Sequence, residues 1–160
     1  MPNRTILLSK DDWVCALVCK KDKDNSFLYV GHAMIFMEGI GPYGQRFLKR
    51  FHITGDKVAS VDEDIDLKPS IDLSEYYLNA KTITANTGKL LQQKVEADIG
   101  KELPFDVFFA EVKGKNEKTL NCLKWCKLKF SEANIAINPN LNTTSLAPVK
   151  AAQDKKFFLK

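Results

Sequence analysis

"FLYVGHAMIFMEG", residues 27–39, is apolar on both of its alternating faces, the pattern of a central strand covered on both sides of a sheet. His32 sits in its middle. A strand of this kind needs neighbours. Upstream, "DWVCALVCKK" is apolar with β-branched residues and closes on the charged turn "KKDKDNS", so it reads as a second strand. Downstream, "GIGPYG" supplies the Gly and Pro of a connecting loop. The next run, "QRFLKRFHITG", places Phe47, Phe51 and Ile53 on one parity and Arg46, Arg50 and His52 on the other, as a half-exposed strand would.

Beyond these strands the period changes. The acidic stretch 56–82 carries one Pro and no sustained period, and reads as loops with short strands. In "ITANTGKLLQQKVEADIGKELP", Leu91, Val95 and Ile99 recur at i, i+4 and i+8, with Thr84 or Thr87 as a cap and Gly100 and Pro104 as stop signals. "FDVFFAEVKGKNEKT" is a short aromatic segment and a polar loop. A second helix follows in "TLNCLKWCKLKF", where Cys122, Cys126 and Phe130 are spaced by four with Trp125 on the same stripe. Three strands followed by two helices predict an α+β fold, an antiparallel sheet packed against helices.

With 160 residues, 44% apolar and 28% charged, the chain has the size and composition of one globular domain. The net charge of +4 is spread over 24 basic and 20 acidic residues of mixed sign, so no basic stripe for nucleic acid stands out. No segment reaches the roughly 18 continuous apolar residues of a membrane helix. The first residues, "MPNRTILLSKDDW", have too short an apolar run for a Sec-type signal. The four cysteines form two C-x3-C pairs within a predicted strand and a predicted helix, rather than the C-x2-C knuckles of zinc ribbons. Reduced thiols, no metal and no cofactor are expected.

The start of the second helix carries chemistry. Asn121 is a strong N-cap type, which would make Cys122 the first helical residue. Unsatisfied backbone N–H groups and the helix dipole there favour a thiolate, so its pKa is expected to fall below the free value of about 8.5. The Cys122 backbone N–H could also donate to an oxyanion formed on attack at a carbonyl. Taken alone, a cysteine at a helix start is most often a buried apolar filler. A nucleophile needs an imidazole, and the chain has two histidines. A hairpin centred near Pro42 would set His32 opposite His52 on one face, a base and its orienting partner. Glu38, on the same parity, is the alternative orienting group. Arg46 and Arg50 read as solvated residues, with a place beside a substrate groove as the alternative.

"VGHAMIFMEG", followed some ninety residues later by "LNCLKWCKLKF", resembles the circularly permuted papain-like proteins of the NlpC/P60 superfamily, in which the His strand precedes an Asn-Cys helix. The pattern is similar to cysteine-enzyme domains of secreted effectors of intracellular bacterial pathogens. Lecithin:retinol acyltransferase-like enzymes share the His-His-Cys order. The resemblance spans roughly residues 12 to 132 in layout, with about fifteen residues in the specific motifs. It implies a permuted papain-like fold with Cys122 as nucleophile, His32 as base and His52 as third member. Two features depart from the pattern: Cys126 stands where a small residue is usual, and the tail beyond residue 138 has no counterpart.

Together these readings give a single catalytic domain over residues 1–138 and a C-terminal tail, 139–160, that is mobile or partly docked. The expected activity is that of a cysteine hydrolase (peptidase, amidase or isopeptidase) working through a Cys-His-His site and an acyl-enzyme. The alternatives are a thiol-dependent acyltransferase of the same fold and a non-catalytic binding module that retains the fold. The expected partner is a protein or peptide substrate, a host protein included, with no nucleic acid and no membrane span. The resemblance implies the bacterial cytoplasm before export and secretion into a host cell, with ordinary cytoplasmic residence as the alternative. Neither substrate-binding residues nor oligomeric state can be read from the sequence.

Overall fold

The computed structural model of the chain describes residues 12–21, 32–41, 43–44, 46–55, 58–64, 73–99, 103–104, 122–138 and 148–159. Its fold is α+β. Strands β1 (Asp12–Lys20), β2 (Ala33–Ile40), β3 (Arg46–Gly55), β4 (Val58–Asp64), β5 (Tyr76–Thr84) and β6 (Leu103–Pro104) form one antiparallel sheet in the order β5-β1-β2-β3-β4-β6. Helices α1 (Ala85–Glu96), α2 (Cys122–Glu132) and α3 (Pro148–Gln153) complete the described elements.

Both faces of β1 and β2 are buried, as their apolar sequences require. One face of β1 and β2 presents Trp13, Cys15, Leu17, Ala33, Ile35 and Met37 to the helices, in a core shared with Leu91 and Val95 of α1 and Leu123, Trp125, Cys126 and Phe130 of α2. The opposite face carries Ala16, Val18, Met34 and Phe36 into a smaller cluster with Leu48, Leu73 and Tyr76. Leu48 is buried in this cluster, so β3 is apolar on one face and only partly polar on the other.

Three sequence expectations change. His32 stands one residue ahead of β2 rather than in mid-strand, because pairing with β1 starts at Cys19↔Ala33; residues 27–31 lie outside the described set. The stretch expected to hold loops and short strands contains the nine-residue β5, paired to β1 along its whole length. Helix α1 is capped by Thr84, whose hydroxyl accepts from the Thr87 amide at 3.2 Å, but it ends before Ile99. Its exit tightens into i→i−3 bonds, Asp98 N–H to Val95 O and Ile99 N–H to Glu96 O, and leaves Ile99 at 39% exposure.

The tail, expected to be mobile or partly docked, buries Ala151, Ala152 and Phe157 in the core. Phe157 is fully buried, and its ring meets Phe130 and Phe158 edge-on. Asn79 of β5 donates to the carbonyls of Ala151 and Asp154, at 3.1 and 2.7 Å. An isolated bridge, Ile137↔Phe158, fastens the segment that follows α2. That segment is reached through a left-handed Asn134 (φ 62°), past which the Ile135 amide donates to Phe130 O at 2.9 Å and stops the helix. Residues 139–147 lie outside the described set.

Trp13 fixes how α1 lies on the sheet. Its indole is held between Gly39 of β2 and Gly88 of α1, where a methyl group at either glycine would overlap the ring. Gly88→Ala would ordinarily stabilise a helix interior by about 1 kcal/mol. Here overlap with an aromatic ring, costing about 1–3 kcal/mol, outweighs that gain. A net loss of stability is expected in urea unfolding, and a net gain would show that the ring moves aside freely. Among the described residues no helix is long and apolar enough to cross a membrane.

Candidate active site

The site forms where β2 and β3 part. Their ladder runs no further than Ile35↔Phe51, while β1 stays paired with β2 to Cys19↔Ala33 and β3 stays paired with β4 to Gly55↔Ala59. The start of α2 comes to this opening. Cys122 is the first residue of the helix, and its Sγ accepts a hydrogen bond from the Ala33 amide at 3.4 Å. The Asn121 cap lies outside the described residues.

His32 precedes Ala33 in the chain, so its backbone adjoins the amide from which the thiol accepts. Its Nε2 meets His52 Nδ1 at 3.3 Å, with the rings edge to face at 5.5 Å between centroids. The expected register is off by two residues. Ile35 opposes Phe51, so the turn centres on Tyr43 rather than Pro42 and His32 projects opposite Thr54. The physical cause is the Gly41–Gly44 turn, closed by Gly44 N–H to Gly41 O at 3.0 Å with Gly44 at φ 76°, a conformation glycine adopts without strain. A slip of two preserves the face, and the imidazoles meet diagonally.

Glu38 is elsewhere. Its carboxylate is buried at 1% exposure beside Arg46, at 3.7 Å. Six residues of strand separate it from His32, roughly 20 Å, so it does not orient that ring. Arg46 is occupied with Glu38 at the turn end of the hairpin. Arg50, read from sequence as solvated, is half-buried, and its charge acts on His32. The signal for Arg50 was present in its shared parity with His52.

The electrostatics reverse one expectation. Burial pushes the Cys122 thiol above its ordinary pKa and outweighs the backbone N–H groups of Ala33, Leu123 and Cys122, which favour the thiolate. Burial, then the charges of His52 and Arg50, push His32 down to about 4. At neutral pH the Cys122 thiol and the His32 imidazole are therefore both neutral, rather than thiolate and imidazolium. The helix start alone does not activate the sulfur.

All four cysteines are free. Cys15, Cys19 and Cys126 are buried, and Cys122 alone is partly accessible. Burial raises the Cys15 thiol to about 12 and the Cys126 thiol well above its ordinary value. Neither competes with Cys122 as a nucleophile. Among the described residues no group of three or more His, Cys, Asp and Glu side chains could hold a metal.

Helix α2 is anchored below the thiol. Trp125, Cys126 and Phe130 are fully buried, and the Trp125 indole N–H donates to Asp98 Oδ2 at 3.0 Å. The same oxygen takes the Lys129 ammonium at 2.5 Å, and Lys129 also reaches Glu132 at 2.7 Å. Asp98 was missed in the sequence because it falls on the expected helix, not just past its end. The arrangement brings together a partly accessible thiol, backbone N–H groups around its sulfur, and two imidazoles in contact, the first on the residue before the amide that the thiol accepts from. Compared with known proteins, the chain matches no family model, no curated protein and no solved structure.

Proposed function

We propose that the chain is a cysteine hydrolase of permuted papain-like fold, related to the NlpC/P60 enzymes, that cleaves an amide, isopeptide or ester bond through an acyl-enzyme. The observation that supports this reading is that Cys122 Sγ lies 3.4 Å from the amide of Ala33, the residue after His32, whose imidazole meets that of His52 at 3.3 Å. With Nε2 of His32 engaged by His52, Nδ1 is the nitrogen that takes the thiol proton.

In the reaction, Cys122 Sγ attacks the carbonyl carbon while His32 Nδ1 accepts its proton, and the carbonyl oxygen becomes an oxyanion that accepts from the Cys122 backbone N–H. His32 then returns the proton to the leaving amine or alcohol as the C–N or C–O bond breaks. Water, deprotonated by His32, attacks the thioester and releases the acid and the thiol. The second imidazole, His52, holds the base in the orientation these steps need. A substrate that displaces water from the corner strengthens these interactions and draws the proton across. The resemblance to effector domains makes a host protein the substrate and a bacterium the source.

The test is reaction of wild type and Cys122→Ala with peptide-amide and ubiquitin-like electrophilic probes, read by intact mass. One probe adduct per chain is expected on wild type and none on Cys122→Ala. Labelling that survives Cys122→Ala would move the chemistry to another thiol and overturn the assignment.

A further inference from the structure

A buried backbone N–H needs an acceptor, and that of Ala33 has a poor one. Ala33 opens β2 and pairs with Cys19 of β1, yet its N–H is turned to Cys122 Sγ at 3.4 Å. Successive residues of a paired strand bond to alternate neighbours, so this N–H faces away from β1, to the side of β3. There β2 and β3 have parted, since their ladder ends at Ile35↔Phe51. The sulfur takes the place of a strand carbonyl.

A thiol sulfur is a weak acceptor. Burial keeps Cys122 in that neutral form at rest, so the bond contributes little to the resting state. The donor is nonetheless fixed, because Ala33 is fully buried and its strand is held by β1. When Sγ bonds to a carbonyl carbon, the sulfur uses a lone pair in the new bond and the C=O pair moves to the oxygen on that same carbon. A donor already in reach of the sulfur then has a negative charge beside it. Such a bond is charge-assisted and forms only as the transition state does, which is where it lowers the barrier. From the helix side, the N–H groups of Cys122 and Leu123 also act on the sulfur.

We propose that Ala33 is a catalytic residue through its backbone: its N–H, from the head of β2, and that of Cys122, from the start of α2, together bind the oxygen of the carbonyl that Cys122 attacks. The thiol proton passes to the base, the S–C bond forms, and the C=O pair becomes the oxyanion between the two donors. On collapse the pair returns to carbon and the leaving group departs with the proton. Donors on separate elements fix where the carbonyl oxygen sits, so the site accelerates attack on trigonal carbonyls and gives no such advantage to alkylating agents. This role rests on the hydrolase reading above.

The experiment replaces the Ala33 amide by an ester in the full chain, with L-lactic acid entered at that position by nonsense suppression, which removes the N–H and keeps the methyl group. Two reactions of Cys122 are followed by intact mass and peptide mapping: acylation by p-nitrophenyl acetate, which passes through an oxyanion, and alkylation by iodoacetamide, which does not. Acylation should fall about 10²–10³-fold. Alkylation loses only the bond to the sulfur and should fall no more than about tenfold. The same ester at Ile35, which removes a strand N–H that meets no oxyanion, should leave the ratio of the two rates unchanged. Wild type supplies a reading that needs no variant to fold: the Ala33 amide proton should move downfield when N-acetylglycinal adds to Cys122 as a hemithioacetal, and not when methyl methanethiosulfonate caps the sulfur. An unchanged acylation rate, an equal fall in both reactions, or an Ala33 amide that responds alike to the two reagents would each overturn the proposal. In those cases an adduct still formed on Cys122 would leave the hydrolase reading standing. The expected Ala33 effects with an acyl-enzyme that never releases acetate would sink hydrolysis and leave the donor in place.

Discussion

Asp98→Ala is expected to cost about 3–5 kcal/mol of folding stability, a large fraction of the roughly 5–15 kcal/mol that holds a domain of this size together. Asp98 is 9% exposed and Lys129 4% exposed, so both charges are largely withdrawn from water. The carboxylate serves two donors at once, the Lys129 ammonium at 2.5 Å and the Trp125 indole at 3.0 Å. Removing it strands a buried cation with only Glu132, whose side chain is 36% exposed, and orphans the indole N–H. The two penalties share one site and do not add in full. Asp98→Asn keeps an acceptor for Trp125 and should lose less. Replacing both charges, Asp98→Leu with Lys129→Met, should recover most of the loss, because a buried pair is costly to break and cheap to replace by apolar groups of similar volume. Urea unfolding of the three variants measures this. A loss under about 1 kcal/mol for Asp98→Ala would mean that Lys129 simply turns to solvent. The network ties the exit of α1 to the middle of α2, so the same substitution should loosen the approach of Cys122 to His32.

The parts of this fold legible in the sequence are those whose pattern reflects a local environment. Both faces of β1 and β2 are buried, and their sequences are apolar. Leu91 and Val95 repeat at helical spacing because one stripe of α1 faces the sheet. The strand β5 was hidden because it is an edge strand that answers to two neighbours. Its inner edge pairs with β1, while Asn79 and Lys81 serve the tail, donating to Ala151 O, Asp154 O and Leu159 O. Polar residues chosen for those contacts break the period of two. In the tail, "AAQDKKFFLK" mixes polar and apolar residues, and of these Ala151, Ala152 and Phe157 are buried. At the site, parity was enough to bring His32 and His52 to one face, since parity survives a register slip of two. The ionisation of Cys122 was not legible. The helix start is a local feature, whereas the burial that overrides it comes from strands some ninety residues upstream.

Alkylation of Cys122 by iodoacetamide should rise about a hundredfold between pH 6 and pH 8 and run slower at pH 7 than that of a free cysteine. The thiol pKa is raised, so across this range the thiolate fraction grows about tenfold per pH unit. Acylation by a substrate-like probe should behave differently, because there His32 removes the proton as the bond forms. His32 is neutral down to about 4. Its pKa is depressed, so the base form is present throughout the neutral range and is lost only as the pH falls through about 4, not through the usual histidine value of about 6.5. The acylation rate should therefore stay level across neutral pH with its acid limb near 4. His32→Gln separates the two reactions. It should leave the alkylation profile nearly unchanged, since the resting imidazole holds no ion pair with the sulfur, while acylation at pH 7 drops about 10²–10⁴-fold and takes on the thiolate's dependence on pH. A fast alkylation rate that stays level from about pH 5 to pH 8 would instead report a preformed thiolate–imidazolium pair. In that case the backbone N–H groups at the start of α2 would outweigh burial, and the helix terminus would be the activating group after all.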